Sequence, residues 1–138
     1  MKPGDLDDRI AAAFADGVKS ESLKVLIVEA EAASLASGEA ADHARERALD
    51  PALTAKAVAE ARRQMEDAVF RRERLQTAVS RLKDRLKEVR AQEEDQRRWA
   101  TYQKLEAERN KLAAELKAIY PSVENQFGKL IVKIEANE

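Results

Sequence analysis

Residues 58–89 read VAEARRQMEDAVFRRERLQTAVSRLKDRLKEV, and the spacing of their apolar side chains decides the fold. One set recurs every seven residues: Val58, Met65, Arg72, Val79 and Leu86. A second does the same: Ala61, Ala68, Leu75, Leu82 and Val89. Two such sets, offset by three or four residues, make a seam along an α-helix with a 3.5-residue repeat. Arg72 is the charged exception. Extended onward, the frame meets Glu93, Gln96, Ala100 and Gln103 and fails, because residues 90–98 are polar all round. Apolar spacing returns in another frame at Tyr102, Leu105, Leu112, Leu116 and Ile119, with Arg109 among them. The expected element is one helix over 51–120. Its polar stretch is a solvated section or a place where the packing partner changes.

Working outward, Asp50-Pro51 marks the start of that helix. Asp50 suits the N-cap, and Pro51 suits the first helical position, where its missing N–H costs nothing. Upstream, residues 20–49 read as a second helix capped by Ser20 or Ser22. Its apolar side begins with Leu23, Leu26 and Ile27, then shrinks to alanines and serines from Ala30 to Ala48. Ser37-Gly38 is its weak point, a kink or a break. A short connection implies antiparallel neighbours. The small seam of 20–49 is therefore expected against Ala55, Ala57, Val58, Ala61 and Ala68, in a hairpin of 20–49 against roughly 51–80 with residues 30 and 68 close together. Residues 5–16 form a short amphipathic helix that Asp5 caps. Leu6, Ile10, Ala13 and Phe14 lie on one side, and Gly17 stops it. Twelve residues are too few to be stable alone, so this helix should dock on the hairpin.

At the other end Tyr120-Pro121 should close the long helix, since proline disfavours helical geometry at the residue before it. Val123, Phe127, Leu130, Ile131 and Ile134 then space as a helical face. A short helix over 121–135, folding back, is expected; the run Leu130-Ile-Val-Lys-Ile134 keeps a strand open as the alternative. The fold class is thus all-α: an elongated antiparallel helical hairpin extended into a long coiled-coil helix, with short helices at both termini, in a single domain over 1–138.

Composition agrees with rods rather than a thick core. The 138 residues are 37 % charged and 4 % aromatic, with a net charge of −1. Ala, Glu, Lys, Leu and Arg dominate, as in long helices. Near-neutrality removes any global field toward nucleic acid or membrane. There is no cysteine, hence no disulfide, no thiolate nucleophile and no Cys-ligated metal. No apolar run approaches the ~20 residues of a membrane span, and the first residues carry no apolar signal core, so a cytoplasmic protein is expected.

Little in the chain points to chemistry. His43 is the single histidine, with Glu39 one turn away. A dinuclear carboxylate bundle needs Glu-x-x-His on two helices, which one histidine at this spacing does not supply. No glycine-rich phosphate loop and no nucleophile elbow is present. No enzyme, cofactor or metal is expected. The strongest ligand-like signal is basic: Arg71, Arg72, Arg74, Arg81, Lys83, Arg85, Lys87 and Arg90 against Glu73, Asp84 and Glu88. Eight cations on one rod could hold phosphates. They spread around the helix, however, and no aromatics interleave them as single-strand binding prefers. Acidic groups of residues 21–50 are expected to neutralise some of them.

The run Arg47-Ala-Leu-Asp-Pro-Ala-Leu53, with Met65-Glu-Asp-Ala68, Phe70-Arg-Arg72 and Tyr120-Pro121, resembles a group of small alphaproteobacterial coiled-coil proteins, some of them prophage-encoded. The resemblance implies a coiled coil and, at most, an assembly or accessory role; it brings no site residues. The sequence therefore points to a structural or interaction protein. It self-associates through a seam of Leu75, Val79, Leu82, Leu86, Val89, Tyr102, Leu105, Leu112, Leu116 and Ile119, and offers surface to a further protein. Nucleic-acid binding through residues 71–90 is the alternative.

Overall fold

The computed structural model describes residues 3–137. The fold is all-α: α1 (Pro3–Ala12), α2 (Ser20–Ala48) and α3 (Ala55–Glu135), with no strand among the described residues. Contacts divide the chain into two compact units, residues 1–92 and residues 93–138.

In the first unit, α2 and the early part of α3 run antiparallel. Glu31 meets Lys83 at 2.8 Å, the backbone of Gly38 lies under the Arg72 side chain, and Arg47 donates a hydrogen bond to Gln64. As one number rises, the other falls. Burial on α3 repeats at Ala61, Leu75, Leu82 and Val89, with Val58, Met65, Ala68, Arg72, Val79 and Leu86 half-buried between them. The seven-residue frame read from the sequence is thus the frame that folding buries: full burial ends at Val89, and Glu93, the next position, is half-buried. On α2 the matching stripe is Leu23, Ile27, Ala30, Ser34, Ser37, Ala41 and Ala44.

The register differs from the expected one. The cross-helix pairs set Ala30 opposite Leu82 and Ser37 opposite Leu75, so small residues of α2 receive large residues of α3. Ala68 comes opposite Ala44, not residue 30, which lies some 14 residues away, or ~21 Å along the axis. The connection explains the slip. Asp50 does not cap α3. Its carbonyl accepts from the Leu53 N–H at 3.3 Å, and its Oδ1 accepts from the Ala52 N–H at 2.9 Å, with Pro51 between. That is a β-turn with proline at its second position, for which Asp-Pro is equally well suited. The helix starts after it, where Thr54 Oγ1 accepts from the Ala57 N–H at 3.2 Å. The cap is Thr54.

Gly38 does not end α2, which is continuous from Ser20 to Ala48. A Cβ at Gly38 would stand 3.4 Å from Arg72 Cδ. The aliphatic stem of Arg72 crosses α2 there, which is how a cation occupies a seam position: the stem is covered and the head reaches water. At the start of α2 the N-cap position is Lys19, not Ser20 or Ser22, and Ser20 is buried.

Helix α1 docks as expected. Leu6 and Ala13 join the core of Leu23, Leu26, Ile27, Ala30, Leu75, Leu82 and Val89, and Ile10 packs against it. Asp7 lies 3.5 Å from Arg71, Arg9 lies 2.6 Å from Glu29, and Arg85 donates to the Ala15 carbonyl at 3.1 Å. α1 therefore runs parallel to α3 and antiparallel to α2. The helix starts before Asp5 and ends at Ala12, earlier than the spacing suggested. Phe14 consequently sits in the turn and is 44 % exposed. Gly17 does close the segment, at φ +83°, a conformation that favours glycine.

The second unit is the remainder of α3. Pro121 lies inside this helix, not at its end, and residues 121–135 continue it as helix. Proline removes the hydrogen bond to the Lys117 carbonyl. Both residues are exposed, so water can satisfy that carbonyl.

Candidate interaction surface

The sequence proposed ten residues for one self-association seam, and the structure divides them. Leu75, Leu82 and Val89 are 2 %, 0 % and 2 % exposed, and Val79 and Leu86 pack against the same core. α2 covers α3 further along than expected, so these five are engaged within the chain. Tyr102, Leu105, Leu112, Leu116 and Ile119 are all more than half exposed.

They have company that the sequence reading kept separate. Because α3 does not stop at Pro121, Tyr120, Val123, Phe127, Leu130, Ile131 and Ile134 lie on the same helix, and all are exposed. At ~100° per residue, the side chains from Tyr102 to Ile134 named above fall within a face about 120° wide and ~48 Å long. Trp99 stacks on Tyr102 at its head, with ring centroids 5.7 Å apart. Arg98 and Arg109 project from the same face. A contiguous apolar stripe of this size is not the scatter of single hydrophobic residues that any surface carries. Val25, Val28 and Leu35 on the outside of α2 are such a scatter.

The basic stretch is largely consumed by the fold. Arg71 pairs with Asp7, Lys83 with Glu31, and Arg85 with Glu88 and the Ala15 carbonyl, while Arg72 lies over Gly38. Arg74, Arg81, Lys87 and Arg90 remain exposed. Their spacing distributes them around the helix instead of along one stripe. The hydrogen bond that Arg9 donates to the Glu29 carboxylate holds the pKa of its guanidinium above the ordinary value, so that pair also serves the fold.

Residues 90–98 are helical, with Glu94 bonded to Arg97 at 3.5 Å and to Arg98 at 3.3 Å. Such pairs, three and four residues apart, support a helix whose side chains here, apart from the half-buried Glu93 and the Val89 turn before it, are exposed. His43 is exposed, and no group of three or more His, Cys, Asp or Glu converges among the described residues. None of the described helices is long and apolar enough to cross a membrane. The clefts lie under the α1–α2 turn, along single helices and between α2 and α3, where Glu31, Glu39, Asp42 and Arg72 line the last, and each of these is open to solvent. No protein-family model, curated protein or solved structure matches the chain.

Proposed function

We propose that this is a non-catalytic interaction protein that self-associates as a coiled coil through the 102–134 face of α3. The first unit is a folded helical hairpin; the second supplies the contact. One observation carries the reading: eleven large apolar side chains share one helical face and each is at least 42 % exposed. The cheapest cover for such a face is a second copy, and twofold dimers are the commonest assembly.

Light scattering of the full chain at tens of micromolar should give a dimer or larger. Leu112→Asp with Leu116→Asp should shift it toward monomer, because the seam would bury unpaired carboxylates. A monomer at high micromolar concentration sinks the reading. Nucleic-acid binding through residues 71–90 is not favoured, since half of that cation set is already engaged inside the chain.

A further inference from the structure

The orientation of the pair follows from where charges sit on the stripe, an argument that rests on the self-association proposed above. Arg98 and Arg109 lie on the apolar face itself, eleven residues apart. Eleven residues is three helical turns at ~3.67 residues per turn, so the two share a direction. Glu124 and Glu135 are also eleven residues apart and lie together on one edge of that face. Among the described residues, Arg109, Glu124 and Glu135 have no ion pair. Arg98 has only its exposed intrahelical contact to Glu94.

In a parallel, in-register pair each seam residue meets its own copy. Arg109 would face Arg109 of the second copy, and Arg98 would face Arg98, placing like charges in an apolar seam twice. In an antiparallel pair the same edges of the two helices face each other. Arg98 then comes opposite Glu135 of the second copy at the same register that brings Arg109 opposite Glu124. Both pairs share one midpoint, between Leu116 and Lys117, and twofold symmetry makes each pair twice. That register also sets Tyr102 opposite Ile131, Leu105 opposite Gly128 and so beside Phe127, and Ala113 opposite Tyr120, so apolar residues meet towards both ends of the stripe and near its middle. Lys117 meets its own copy near the axis, on the same edge as Glu135; this single like-charge contact stands against four ion pairs, and the long side chain can turn its ammonium outward to water. We infer that two copies of this chain pair antiparallel through residues 98–135, centred between Leu116 and Lys117, with Arg98–Glu135 and Arg109–Glu124 as intersubunit ion pairs.

The chain has no cysteine, so single cysteines report the orientation without interference. Wild-type scattering comes first: a monomer overturns the parent reading and this inference with it. Given a dimer, Leu105→Cys alone should stay uncross-linked under mild oxidation, since the two copies of residue 105 lie ~35 Å apart in the antiparallel pair. A disulfide needs Cα atoms within about 7 Å. Mixing Leu105→Cys with Phe127→Cys chains should give the cross-linked heterodimer. Efficient self-cross-linking of Leu105→Cys, with no product from the mixture, overturns the orientation while leaving self-association standing. In solution, Arg109→Glu should weaken the dimer about tenfold. Adding Glu124→Arg should restore affinity to within about threefold of wild type, and a double variant weaker than the single one also overturns the pairing.

Discussion

Replacing Leu82 by alanine should be among the most damaging conservative changes in this chain. Leu82 is 0 % exposed and stands opposite Ala30, itself 0 % exposed, where α1 also packs on the hairpin. Three carbons leave the core, a transfer term of ~2.4 kcal/mol at ~0.8 kcal/mol per methylene. The facing side chain is already an alanine and cannot swing in to fill the gap, so a cavity term adds to it. A total of about 3–4 kcal/mol falls in the upper part of the range for leucine-to-alanine changes. A unit of some ninety residues has only ~5–14 kcal/mol in all. The readout must belong to the first unit, because circular dichroism sums both units and the second can fray on its own. Amide exchange at residues 75–82 serves: ~3 kcal/mol corresponds to more than a hundredfold faster exchange. Leu112→Ala, at a site 64 % exposed, is the control and should leave these amides within about twofold. Acceleration below about fivefold in Leu82→Ala, or an equal effect from Leu112→Ala, would refute the assignment of the core.

Three further outcomes follow from local geometry. Gly38→Ala should stabilise the first unit by up to ~1 kcal/mol, because the new Cβ meets Arg72 Cδ at an ordinary 3.4 Å and the helix gains a better former; a fall in melting temperature would mean that the Arg72 stem cannot yield. Thr54→Ala should cost about 1 kcal/mol by removing the acceptor of the Ala57 N–H, read as a lower urea midpoint, whereas no change would show that the cap is made elsewhere. Pro121→Ala should restore one helical hydrogen bond and relieve a penalty of ~3 kcal/mol, slowing amide exchange over residues 115–125; unchanged exchange there would show that the helix already opens at that point.

What was legible in the sequence was the period. Heptad positions from Val58 to Val89 predicted burial residue by residue, and Arg72 fitted through its long stem. The register was not legible, for a physical reason: alanines and serines at seam positions pack acceptably against either small or large partners. Only the connection decides the offset. Asp50-Pro51 satisfies the rules for a helix start and for a β-turn alike, and Thr54, four residues after Asp50, is an equally good cap. Pro121 misled in a different way. The rule that helices end before proline reflects a cost, and a cost is not a prohibition where the orphaned carbonyl stays in water.

The division of the chain into two units follows from that register and from the length of α2. Helix α2 begins at Ser20, which the cross-helix pairs place opposite Gln92, where the first unit ends. Past that point α2 has no residues left to give. α1 cannot extend the cover, because the turn at Gly17 sends it back alongside Arg71 and Arg85. Every large apolar residue on the inner sides of α1 and α2 is therefore spent on α3 before residue 93. Yet the apolar spacing of α3 resumes at Tyr102 and runs on for about nine turns. Intrahelical pairs such as Glu94 with Arg98 can hold a helix together, but they bury none of it. A stripe of that length, exposed along α3, is the physical ground for proposing a second chain as its cover.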